Sequence, residues 1–276
     1  MDVGRMFSLE GKVAVVTAGG GVLCSAIARG FAAAGAKVAV ADLRGDVAQQ
    51  VADAIVNDGG IATAYELDAF KKASIEACCN EIHEDFGQVD ILVNGVGGNM
   101  KGATTSAEQS FFDLPTDVVQ RVLDLNLVAG AIAPCQVFVK RMKDNPGGAS
   151  IINISSMNAF RPLTRIPGYS AAKAAVSNFT QWLAVHLAQE YNPKLRVNAI
   201  APGFFLTDQN RFLVTDEKTG DLTPRGQTIV SHTPMGHFGE PDDLIGVAIW
   251  LASDASRFVT GIVVPIDGGF SAFSGV

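Results

Sequence analysis

A chain of 276 residues, 48% hydrophobic, is long enough to bury a full core in one domain, and 18% charged residues is too few for a disordered polymer. A net charge of -7 with no basic block argues against nucleic acid and against an anionic membrane surface as partners. The start, Met1-Asp2-Val3-Gly4-Arg5, is not a signal peptide, and no uninterrupted apolar run reaches membrane-spanning length, so a cytoplasmic location is expected. Cys24, Cys78, Cys79 and Cys135 show no Cys-x-x-Cys spacing and read as reduced core residues. His83, His186, His232 and His237 are too scattered for a metal site, and no metal is expected.

Strands and helices alternate along the chain. Residues 12–17 (KVAVVT) form a short apolar run ending in glycines, which reads as a buried strand. A helical pattern over 22–34 stops at Gly35. A second strand covers 37–42, a helix 47–56, a third strand 62–67, a helix 74–86 and a fourth strand 89–94. Residues 116–143 read as one long helix, followed by a strand at 150–155, a helix over 169–190 and a strand at 195–200. A late helix at 241–253 and a last strand at 262–266 complete the pattern. Strands separated by helices of this length imply right-handed crossovers between parallel strands. The expected fold class is α/β: a single Rossmann-type domain over 1–276, a doubly wound parallel sheet of about seven strands with helices on both faces. The polar, turn-rich stretch within 204–232 is expected to be a substrate lid, with Phe204, Phe205, Gln209 and Arg211 near its mouth.

Ligands of such sheets lie at the carboxyl ends of the strands. Thr17, Asp42, Asn94, Ser156 and Pro202 all fall there. The turn Gly19-Gly20-Gly21-Val22-Leu23 joins the first strand to the first helix, where backbone N–H groups can meet a pyrophosphate. Asp42, ending the second strand, can accept hydrogen bonds from an adenosine ribose and repels a 2′-phosphate, which predicts NAD (NADH) over NADP. Arg44, two residues on, softens that preference. Tyr169 and Lys173 stand four apart, on one helix face. A cation beside a phenol favours its ionised form and makes it a usable acid and base. Ser156, thirteen residues before the tyrosine, can hydrogen-bond the same substrate oxygen. The plain alternative is a surface Tyr and Lys on an ordinary helix.

Taken together, the glycine turn at 17–24, Asp42, Asp68, Asn94-Gly95-Val96-Gly97, Asn126, Ser156, Tyr169, Lys173, Pro202-Gly203, Thr207 and Asp267-Gly268-Gly269 resemble the short-chain dehydrogenase/reductase family over nearly the full length. The resemblance implies a catalytic tetrad of Asn126, Ser156, Tyr169 and Lys173. It implies cofactor contacts at Gly19, Gly21, Val22, Leu23, Asp42, Asp68, Asn94, Gly95, Tyr169, Lys173, Pro202, Gly203 and Thr207, and a homotetramer. Two departures stand out. The family's three turn glycines are here Ala18, Val22 and Cys24, and its Asn-Asn-Ala-Gly is here Asn94-Gly95-Val96-Gly97. A Cβ in that turn can crowd a pyrophosphate. A closer resemblance, through residues 155–165, 201–207 and the tail from Asp267, is to the D-mannonate oxidoreductase (fructuronate reductase) branch.

That branch implies hydride exchange between nicotinamide and a sugar acid, most simply D-mannonate and D-fructuronate. Arg161 and Arg165 are candidates to fork its carboxylate. Asn99, Lys101 and Asn158 are candidates for its hydroxyls, and the apolar tail around Phe270 and Phe273 is expected at a subunit interface. Two alternatives remain: the same chemistry on gluconate, a polyol or a 3-oxoacyl compound, or a non-catalytic family member that binds NAD weakly.

Overall fold

Buried apolar residues on both faces of a strand demand cover on both sides, and the central strands here are of that kind. In the computed structural model, which describes residues 2–207, 211, 214–216 and 219–275, all five residues of β1 (Val13–Thr17) are buried. After a short helix α1 (Val3–Phe7) the order is β1, α2 (Val22–Ala33), β2 (Lys37–Asp42), α3 (Gly45–Asn57), β3 (Ile61–Glu66), α4 (Lys72–Phe86) and β4 (Ile91–Asn94). Then come α5 (Thr116–Leu123), a π-helical segment (Asp124–Ile132), α6 (Ala133–Met142), β5 (Ala149–Ile154), α7 (Pro167–Glu190) and β6 (Leu195–Pro202). The chain closes with α8 (Pro224–His232), α9 (Ile245–Ala252) and β7 (Val263–Ile266).

The seven strands form one parallel sheet in the order β3-β2-β1-β4-β5-β6-β7. β1 pairs with β2 on one side and β4 on the other, so the winding reverses there and a crevice opens at the strand ends. One core, with Ile75, Phe138 and Leu183, fills one face of the sheet; another, with Ile27, Phe31 and Leu251, fills the other. The fold class read from the sequence is the one observed. All four cysteines are free and buried.

Three elements differ from expectation. The helix expected over 116–143 is interrupted by the π-helical Asp124–Ile132, whose wider turn is a local feature that no 3.6-residue pattern reveals. The run Thr116–Met142 is also long and apolar enough, by length and composition, to cross a membrane. Here it is a core element: Val122, Ala129, Ala131, Phe138 and Met142 are buried against the rest of the fold. The late helix starts as a 3-10 turn, Pro241–Leu244, capped reciprocally by Glu240 and Asp243, before α9. α8 lies inside the stretch read as loop, introduced by Pro224 and capped by Thr223, which accepts from Gly226 N–H.

Cys24 and Gly95 meet where α2 packs over the start of the β4 loop. A Cβ on Gly95 would collide with Cys24 Sγ and lie 2.5 Å from the Thr17 carbonyl oxygen. The thiol on α2 and the Thr17 carbonyl together leave room only for glycine after Asn94, and the thiol brings the two departures from the family pattern into contact. Gly95→Ala should destabilise the protein by about 1–3 kcal/mol in urea unfolding. Combined with Cys24→Gly it should cost at least about 0.5 kcal/mol less, because Sγ is gone while Thr17 remains. Strict additivity in that double-mutant cycle would show that the two positions are independent.

Candidate active site

The strand ends open into a cavity of about 560 Å³. Ala18, Gly21, Val22 and Leu23 reach it from the β1–α2 turn, Asp42 and Arg44 from β2, and Asp68 from beyond β3. Gly95 and Gly97 follow β4, Ser156 follows β5, Tyr169 and Lys173 lie on α7, and Pro202, Gly203, Phe204 and Thr207 end and follow β6.

The turn keeps its shape by an unusual route. Ala18 has φ 51°, the only described non-glycine residue in the left-handed region, at a cost of about 1 kcal/mol. Gly21 N–H closes the turn onto the Ala18 carbonyl at 2.9 Å. Gly19 and Gly20 press against β2 and α3: a Cβ on Gly19 would lie 2.8 Å from Val40 Cγ1, and one on Gly20 2.8 Å from Val47 Cγ1. Gly19 thus supports the turn from behind and does not line the cavity. Gly20 N–H donates to Asp42 Oδ2 at 3.1 Å and Arg44 N–H to Oδ1 at 3.0 Å, fixing the carboxylate at the cavity wall. The Arg44 guanidinium stands 3.8 Å from Oδ1.

Asp68 accepts from Lys71 at 2.9 Å, and that bond holds its carboxyl below the usual carboxylate range. Asn94 does not line the cavity. It is buried, and its Nδ2 donates to Asn153 Oδ1 at 2.8 Å, tying β4 to β5.

At the other end, Lys173 is buried and its Nζ donates to the Ile154 carbonyl at 2.8 Å. The ammonium lies 5.6 Å from the centre of the Tyr169 ring. Loss of water drives the lysine down to about 8. The tyrosine does not follow the expectation of a phenol pulled down by Lys173. Burial raises it above its ordinary value, and the hydrogen bond with Ser156 opposes that rise. The reason is that desolvation penalises a phenolate more than a lysine bound to a carbonyl can compensate. Ser156 Oγ also accepts from Asn158 N–H at 3.3 Å. Asn126, in the π-helical segment, donates to the Gly98 carbonyl at 2.7 Å and accepts from Gly98 N–H at 3.0 Å. From the sequence, Gly97 is legible as part of a motif but has no role in the site. A Cβ there would lie 2.6 Å from Asn126 Oδ1 and 3.0 Å from Lys173 Nζ, so its absence lets the two converge. Its place in Asn94-Gly95-Val96-Gly97, just past a strand end, was the available signal.

The candidate substrate residues separate. Arg161 is bound to the Phe273 carbonyl and does not pair with Arg165. Arg165 lines a second cavity of about 510 Å³, which shares Phe204 with the first. Asn99 is exposed and donates to Thr104 Oγ1 at 2.8 Å; Asn158 is buried with its Oδ1 unpartnered. Neither asparagine lines either cavity. Gln209 lies outside the described residues. In the tail, the Phe270 ring meets Phe204 at 5.2 Å and Phe273 meets His232 at 6.3 Å, and both tail rings are half-buried within this chain.

Residues 21–271 match the family model described as enoyl-(acyl carrier protein) reductase. The chain is 47% identical to an uncharacterised oxidoreductase, UxuB, of Bacillus subtilis, covering 98% of each. It is 33% identical to a 7alpha-hydroxysteroid dehydrogenase of Escherichia coli, covering 95% of this chain and 94% of the relative. A crystal structure from Haemophilus influenza with bound NAD, provisionally named a D-mannonate oxidoreductase, superposes with a TM-score of 0.91 at 45% identity, covering 100% of both chains. The chain is an oxidoreductase belonging to the short-chain dehydrogenase/reductase family, whose dehydrogenases act on CH–OH groups with a nicotinamide cofactor.

Proposed function

We propose that the protein interconverts a sugar-acid hydroxyl and its ketone, with D-mannonate and D-fructuronate the leading pair, using NAD in preference to NADP. The observation that carries the reading is the presence of Ser156, Tyr169 and Lys173 in the same cavity as Asp42. The provisional name of the Haemophilus relative supports the substrate class.

The cavity suits a dinucleotide. The turn around Gly21 offers backbone N–H groups at the start of α2 for a pyrophosphate, and Asp42 offers carboxylate lone pairs for ribose hydroxyls. Pro202, Gly203 and Thr207 line the same cavity as Tyr169 and Lys173 and would hold the nicotinamide there. The bound nicotinamide supplies the hydride chemistry. In the reducing direction Ser156 holds the carbonyl oxygen. Tyr169, a phenol kept protonated by burial, gives that oxygen its proton. Lys173, poised near neutral pH, returns a proton toward Tyr169, and Asn126 would position a water joining Lys173 to solvent. The stretch 204–232, including α8, serves as the lid, and the working form is a cytoplasmic homotetramer.

Tyr169→Phe should lower turnover about 100- to 10,000-fold while NADH binding, followed by nicotinamide fluorescence, persists. Near-wild-type turnover removes the tyrosine from the mechanism. Asp42→Ala should narrow the NADH-over-NADPH preference at least about tenfold. An unchanged ratio would place discrimination elsewhere.

Lys173 also carries a stability consequence. Its folded value, about 8, is below its unfolded value of 10.5, so the folded state sheds the proton first. Stability from this group is therefore greatest above the unfolded value and is lost as pH falls through about 8. At neutral pH the buried charge costs roughly 3 kcal/mol before its hydrogen bond is counted. Lys173→Met should thus abolish turnover yet melt no lower than wild type at pH 7. Its advantage should shrink as pH rises from 7 to 10. An advantage that grows with pH would show that the ammonium is not desolvated.

A further inference from the structure

The second cavity has a chemistry that the catalytic cavity lacks. Among the described residues its charged and titratable lining is Arg165, Arg225 and His232, and none of those residues is acidic, although the chain as a whole carries a net charge of -7. Among the described residues neither guanidinium has an ion-pair or side-chain hydrogen-bond partner. Two exposed arginines left unpaired at the rim of an open cleft of about 510 Å³ are free to meet an anion that arrives from solution.

His232 is oriented for the same purpose. The Thr228 carbonyl can only accept, so Nδ1 carries a proton and donates to it at 2.8 Å. Nε2 is left for a ligand. Phe270 packs between His232 and Phe204, with ring centres 6.5 Å and 5.2 Å away. Phe204 faces the catalytic cavity on its other side. Arg165 lies in the turn two residues before Pro167, the first residue of the helix that carries Tyr169, so its backbone is anchored next to that helix.

We propose that this cavity is the carboxylate subsite: Arg165 and Arg225 grip the acid group of a small polyhydroxy acid, and His232 Nε2 bonds a neighbouring hydroxyl or carboxylate oxygen. The chain beyond the acid group extends past Phe204 to Tyr169. Arg161, held by the tail carbonyl of Phe273, takes no part. This inference rests on the sugar-acid reading above and assigns the residues that would enforce it.

The test uses the full-length protein with NAD, D-mannonate as the acid probe and D-mannitol as the neutral one. Arg225→Gln and Arg165→Gln should each raise KM for D-mannonate about 10- to 100-fold with a smaller change in kcat. Arg225→Lys should recover part of the loss, since a charge remains without the fork. NADH fluorescence titration verifies that each variant is folded with an intact cofactor cavity. The acid-over-neutral preference should fall at least about tenfold in the glutamine variants. An unchanged acid KM, or an equal rise for acid and alcohol, overturns the subsite while leaving the sugar-acid reading intact. A wild-type protein that oxidises only the neutral alcohol overturns both, and calorimetric titration of the NADH complex with D-mannonate would then show no binding that Arg225→Gln removes.

Discussion

A buried lysine without a carboxylate partner is the constraint around which the site is arranged. Lys173 has its ammonium against the Ile154 carbonyl and beside the Tyr169 ring, and among the described residues it makes no ion pair. Charge in such a place is tolerated only if the surrounding backbone is held firmly in position. The fold supplies that. Ser155 Oγ donates to the Lys173 carbonyl at 3.1 Å, locking α7 to the end of β5. Asn126 clamps the loop after β4, and Gly97 has no side chain to push the lysine and asparagine apart.

The two ends of the main cavity follow different electrostatic rules. At the β2 end a carboxylate, Asp42, is fixed by two backbone N–H groups at the wall. At the reacting end the titratable groups are pushed toward their neutral forms by loss of water. A neutral phenol is a competent proton donor, and a lysine near neutrality can exchange protons in either direction. Separation of these environments along one sheet edge allows binding and proton transfer to be tuned independently.

Much of this was legible in the sequence because it depends on periodicity. Short apolar runs alternating with amphipathic segments fix a parallel sheet, and the sheet fixes where Asp42, Ser156 and Lys173 meet. What depended on side-chain volume between distant segments was not legible. No local pattern shows that Cys24 and Gly95 touch, or that Gly97 clears space for Asn126. The π-helical turn escaped because an apolar run reads alike in either winding. Arg161 and Arg165 lie only four residues apart in sequence yet diverge, since one is caught by the tail and the other faces a cavity that α8 helps to build. α8 itself was hidden in a polar stretch whose helix depends on a Thr-Pro start and on packing of Ile229.

The left-handed alanine in the β1–α2 turn changes when the work of shaping that turn is done. Ala18 is held at φ 51° by its surroundings, with the Gly21 N–H bond already closed. The strain is met during folding, out of the stability of the whole domain. A dinucleotide arriving at a turn already in this conformation would spend none of its binding free energy on rearranging it. Each 1.4 kcal/mol so conserved corresponds to about tenfold in affinity. On the proposed function, pre-organisation of this kind would let a turn without the usual glycines remain a workable nucleotide cradle.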